Sequence, residues 1–167
     1  LRGSDRDPPI APAGGPRGVL RVLDALTRWY AQPPADDLGL ERALDHAGRV
    51  LRPGARVLVL ADPQQAIRIP PARWSALAQH HDLSLVLLVD PLELQPPSAA
   101  LQFQTLQQRI GLDLRRSEVQ AHWQAHFVEP LQELRRQLGA RRVDVQVLST
   151  DAPSDAWLAP SPTEAPA

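Results

Sequence analysis

Three short runs constrain this chain more than anything else in it: Arg56-Val-Leu-Val-Leu-Ala61, Leu83-Ser-Leu-Val-Leu-Leu-Val89 and Val143-Asp-Val-Gln-Val-Leu148. The first two are near-continuous β-formers without polar alternation, which is how a strand buried on both faces reads. Between the runs the apolar period changes to three and four residues. Leu40, Ala43, Leu44, Ala47 and Leu51 mark a helix over 38–51 that Pro53-Gly54 stops, and Trp74 with Leu77 marks a shorter one over 71–80. Val19, Val22, Leu23, Leu26 and Tyr30 predict an amphipathic helix over 16–31. Strands separated by helices predict an α/β fold with 56–61, 83–89 and 143–149 as neighbouring parallel strands and helices on both faces, a three-layer arrangement.

Two segments depart from that rhythm. Leu101, Phe103 and Thr105 alternate, as do Ile110, Leu112 and Leu114, which predicts an antiparallel hairpin inserted near 100–114. A long helical face follows at Val119, Trp123, Phe127, Leu131, Leu134 and Leu138, and Pro130 falls inside it. Proline lacks the N–H of the helical ladder and clashes with the preceding turn, so the helix should kink or split there. Pro and Gly crowd residues 1–18, and Pro, Ala and Ser crowd 151–167. The expectation is an extended lead-in, a domain over 19–150 and a flexible tail in which Trp157-Leu158 could still dock.

Composition excludes several kinds of chemistry. The 167 residues contain no cysteine, which removes disulfides, thiolate metal sites and a thiol nucleophile. Basic and acidic residues balance at 18 and 19, so charge gives no reason to expect a nucleic-acid partner. All the basic residues are Arg, and Met is absent, which predicts that Leu1 is not a natural start and that the chain is part of a longer one. No apolar stretch reaches the ~18 residues of a membrane span.

Each of the three strands runs into an acid: Asp62, Asp90 and Asp151. Open parallel sheets bind ligands at that edge, in the crevice where strand order reverses, and carboxylates there suit a hard cation such as Mg²⁺. The competing reading is that each Asp turns or caps the next segment, which Asp62-Pro63 and Asp90-Pro91 fit well. His122 and His126 stand at i, i+4 without a third ligand spaced nearby, and the adjacent His80 and His81 point in different directions on a helix. No nucleophile elbow, Walker A loop or dinucleotide fingerprint is present, and the sequence contains no recognisable catalytic constellation.

The order of segments resembles a bacterial family, the von Willebrand factor A-like proteins known as domain of unknown function 58. Leu40–Leu51 followed by Pro53–Asp62 resembles its helix, R-x-G, apolar-strand passage. Leu77-Ala-Gln-His-His-Asp82 is similar to its L-A-R-R-H-D, Val89-Asp-Pro-Leu-Glu93 to its V-x-D-P-L-E, and Leu148-Ser-Thr-Asp151 to its L-x-T-D. The resemblance spans about Val19 to Leu158. It implies a Rossmann-like von Willebrand factor A sheet, lacking here its first strands, with a divalent ion at the C-terminal edge. Asp62 stands in the place of one metal-binding Asp, but Leu38 stands where the family's Thr belongs, and no D-x-S-x-S loop occurs. The implied metal site is therefore incomplete, and Mg²⁺ would need that loop upstream. In the family the strand bearing the loop lies beside the equivalent of 56–61, so the expectation is that the chain alone either self-associates through 56–61 or remains incompletely folded. The resemblance further implies a non-catalytic adaptor that acts with a MoxR-type AAA+ ATPase in assembly or maturation of other proteins, on the cytoplasmic face of an inner-membrane parent. The alternative is a metal-dependent enzyme or small-ligand-binding domain using Asp62, Asp90 and Asp151.

Overall fold

The computed structural model describes residues 9–11, 13–32, 39–104, 108–141 and 143–158. They fall into two compact units that divide between Ala55 and Arg56. The first holds α1 (Gly15–Ala31) and α2 (Gly39–Val50), close to the expected helices. Pro16 sits in the first turn of α1, where its missing N–H costs nothing. Ala25 and Ala47 are buried, but Val19, Leu20, Val22, Leu23, Leu26 and Tyr30 of α1 are exposed.

The second unit contains the three expected strands, β1 (Arg56–Ala61), β2 (Asp82–Val89) and β5 (Asp144–Ser149), hydrogen-bonded in the order β1-β2-β5. Both pairings are parallel, with Ala61 opposite Leu87 and Val89 opposite Ser149. At the opposite end Arg56 Nε donates to Asp82 Oδ2 at 3.1 Å, an exposed pair that contributes little. The hairpin is also present, β3 (Ala100–Gln104) against β4 (Arg109–Asp113), as a separate two-stranded antiparallel sheet with Phe103 opposite Ile110. Thr105 lies outside the described residues. The result is a mixed α/β architecture compatible with a Rossmann-like fold.

The remaining expected helices, α1 and α2, belong to the other unit, and within this unit the flanking helices pack on one face of the sheet. Its helices α3 (Pro63–Arg68), α4 (Pro71–Ala78) and α7 (Glu129–Gly139) touch one another as well as β2 or β5, so they share one face of the sheet. The strand order explains this. Each step, β1 to β2 and β2 to β5, moves the same way across the sheet, and right-handed crossovers running in one direction deposit their helices on one side. Val59, Ala61, Leu83, Leu85, Leu87 and Val89 are buried at alternate positions, with Trp74 of α4 and Leu131, Leu134 and Leu138 of α7 also in the core. The intervening positions include Leu58, Leu60 and Leu88, which are 43%, 57% and 39% exposed.

The long helix splits where Pro130 demands it. α6 (Ser117–Trp123) passes into a π-turn (Gln124–Val128), and α7 follows with Pro130 in its first turn. The Glu129 amide reaches back five residues to the Gln124 carbonyl, and Pro130 has no hydrogen for the His126 carbonyl. Gln64 of α3 supplies that missing donor, with Nε2 3.0 Å from the His126 oxygen. Near the chain end, Ala156–Leu158 form a 3-10 turn that touches β5, with Trp157 half-buried and Leu158 exposed.

Candidate functional site

The three strand-end acids are held by local hydrogen bonds. Asp62 caps α3: its Oδ1 accepts from the amides of Gln64 at 2.7 Å and Gln65 at 3.3 Å. Asp90 caps the single-turn helix α5 (Pro91–Leu94), accepting from the Leu92 amide at 2.8 Å, while Glu93 Oε2 accepts from the Asp90 amide in return. This reciprocal capping box satisfies two otherwise orphan donors. Asp151 Oδ1 accepts from the hydroxyl of Ser149. The crevice expected at a reversal of strand order is not formed by β1, β2 and β5, because their order does not reverse.

The family's divalent ion fits poorly to the residues present. Asp62 already accepts two amide hydrogens through one oxygen, Leu38 lies outside the described residues, and no D-x-S-x-S hydroxyls occur in the sequence. Among the described residues no three His, Asp or Glu side chains gather as a metal site. His122 and His126 do not stand one α-helical turn apart, because the π-turn begins between them.

Asp90 and Glu93 nevertheless border a groove of about 700 Å³ immediately beyond the C-terminal end of β2. α5 forms one wall with Asp90, Leu92 and Glu93. The hairpin forms the second with Phe103 from β3 and Ile110 and Leu112 from β4. The third comes from α6 and the π-turn, which present Val119, His122, Trp123, His126 and Phe127. The rings of Phe103 and Trp123 lie 5.8 Å apart and those of Trp123 and Phe127 4.6 Å apart, both tilted. His126 meets Phe127 edge-on at 4.7 Å. Trp123 joins two walls, because its indole Nε1 donates to the Glu93 carbonyl at 3.0 Å. An isolated two-stranded hairpin is marginal in water, so the Phe103–Trp123 contact is also what seats β3-β4.

Partial burial raises the pKa of Glu93, opposed by its hydrogen bond from the Asp90 amide and reinforced by the charges of Asp62 and Asp90. Two carboxylates, Asp90 and Glu93, thus stand at one end of a largely aromatic and aliphatic groove, and Glu93 also feels the charge of Asp62. Sequence reading placed Asp90 there but missed its company. Phe103, Trp123 and Phe127 read as core positions of a hairpin and a helix, and Glu93 as part of a motif. The available signal was the four-residue step from Val119 through Trp123 to Phe127, which continues straight into a proline.

No protein-family model matches the sequence, and no curated protein or solved structure is significantly similar to it. No described helix is long and apolar enough to cross a membrane.

Proposed function

We propose that this chain is a non-catalytic protein-interaction module, an adaptor that works with a MoxR-type AAA+ ATPase in the assembly or maturation of other proteins. The observation that carries the reading is the sheet face on which Leu58, Leu60 and Leu88 are exposed. Register puts Leu60 beside Val86, and Leu88, two residues further along β2, beside Leu148 of β5. Val86 itself is buried, so the exposed aliphatic groups fall in two places, Leu58 with Leu60 on β1 and Leu88 at the end of β2, and exposed apolar groups of this kind mark sites of association. The capping role of Asp62 supports the same reading, since its carboxylate serves local structure. The choice of ATPase rests on the resemblance at Val89-Asp-Pro-Leu-Glu93 and Leu148-Ser-Thr-Asp151. A parent protein at the inner membrane, with this part facing the cytoplasm, belongs to the same proposal.

Purified chain and a purified MoxR-type ATPase should co-elute on size exclusion in the presence of ATP. Leu58→Asp with Leu60→Asp should abolish co-elution while leaving the thermal melt of the chain cooperative. Co-elution that survives the double substitution would remove the sheet face from the reading. Absence of any complex with the unaltered chain would remove the ATPase.

A further inference from the structure

We infer that the groove between α5, the β3-β4 hairpin and the α6/π-turn segment binds a small organic cation with an apolar body, a class typified by arylalkylammonium compounds. The argument starts from the lining. Phe103, Trp123 and Phe127 line the groove from two different walls, and Leu92, Ile110 and Leu112 continue the apolar surface. The carboxylates on the lining are Asp90 and Glu93, the imidazoles of His122 and His126 are its other titratable groups, and no Arg lines it among the described residues. Aromatic faces and carboxylates attract the same kind of guest, because a ring's quadrupole is negative over its face. An anion would meet repulsion from both acids, and a neutral apolar guest would leave their charge unanswered.

Size and place agree. About 700 Å³ lies within the roughly 300–1,000 Å³ range of small-molecule sites. The groove opens outside the carboxyl end of a central parallel strand, the edge of α/β sheets on which ligands are bound, although here no reversal of strand order forms it. Its shape is set independently of any guest. The capping box fixes α5, the Trp123 indole ties α6 to α5, and the π-turn enforced by Pro130 sets where His126 and Phe127 stand. Burial first, and then the charges of Asp62 and Asp90, oppose ionisation of Glu93, and a cation beside Glu93 would offset that cost.

The test uses three probes with one apolar body: 4-phenylbutyltrimethylammonium, 4-phenyl-1-butanol and 4-phenylbutyrate, each titrated calorimetrically into the full chain. The ammonium should bind about tenfold more tightly than the alcohol, and the carboxylate should show no binding. Glu93→Gln and Asp90→Asn, which keep the capping geometry, should each weaken the ammonium several-fold and leave the alcohol unchanged. Phe127→Leu should weaken both. Equal affinity for all three probes, no heat with the ammonium, or ammonium binding indifferent to both acid substitutions would overturn the inference. So would tighter binding of a basic apolar peptide such as acetyl-FKLF-amide than of the ammonium, which would make the guest a segment of a partner chain.

Discussion

Asp90 and Glu93 show how two residues can carry one motif in sequence and several jobs in structure. In Val89-Asp-Pro-Leu-Glu93 the Asp and Glu are three apart, the spacing at which the Glu93 side chain reaches the Asp90 amide while the Asp90 side chain accepts from the Leu92 amide. Asp90→Ala should therefore cost about 1 kcal/mol in urea unfolding, whereas Asp90→Asn, which still accepts from the Leu92 amide, should cost less than half of that. Glu93 has a second consequence. Burial, with help from Asp62 and Asp90, raises its pKa in the folded chain above the unfolded value. A folded state that holds a proton more tightly than the unfolded chain gains stability as pH falls through the folded pKa, and the ionised group is a cost above it. Thermal melts of Glu93→Gln should exceed those of the unaltered chain at pH 7, and the difference should shrink by about pH 4. A difference that is flat across that range would mean that Glu93 is not under this strain. Asp113 runs the other way. Its carboxylate accepts from Arg115 Nε at 2.8 Å and Nη2 at 3.0 Å, which lowers its pKa, so the small stability this pair adds is present at neutral pH and lost on acidification.

At the scale of elements, Pro130 decides more than a break in a helix. Without its N–H the His126 carbonyl turns to Gln64, and this bond ties the π-turn to α3 across 62 residues of sequence. Gln64→Ala should cost roughly 0.5–1 kcal/mol in the unaltered chain. In a Pro130→Ala background the new amide can take the His126 carbonyl, so the same substitution should cost almost nothing. A double-mutant cycle in urea decides it, and additive costs would sink the account. The split itself was legible, since a proline in a helical period has only a few outcomes. So were β1 and β2, because near-unbroken valine and leucine runs leave little choice, and β5 and the hairpin, because their apolar residues alternate. α3 and α5 were not, being six and four residues long and too short to display a period. Nor was the placement of helices on one face, which depends on the direction of travel across the sheet and not on local pattern. The groove was the least legible of all. Its three walls come from α5, β3-β4 and α6 with the π-turn, and only the fold brings Trp123 against both Phe103 and the Glu93 carbonyl.

For the molecule as a whole, the feature with the widest consequence is that β1 is an outer strand of a three-stranded parallel sheet among the described residues. An outer strand has one row of N–H and C=O groups that its own sheet does not engage, and a strand of this composition is an efficient template for another. Natural edge strands are usually blunted by lysine, proline or a bulge. β1 has none of these between Val57 and Ala61, and its Leu58 and Leu60 side chains are exposed beside that row. Backbone pairing and aliphatic burial therefore favour the same event, pairing of β1 with β1 of a second copy, which closes both edges at once by two-fold symmetry. The expected outcome in light scattering at tens of micromolar is a mass above that of the monomer, falling toward it on dilution. Leu58→Lys with Leu60→Lys should return a monomer, because two like charges per strand would face each other across the new pairing and the side chains they replace lie in solvent. The same two substitutions on α1, at Leu20 and Leu23, serve as the control, since those residues are equally exposed but lie on a helix that offers no free ladder. If the control dissociates the assembly and the β1 variant does not, association runs through the helix and the edge of β1 is closed by other means.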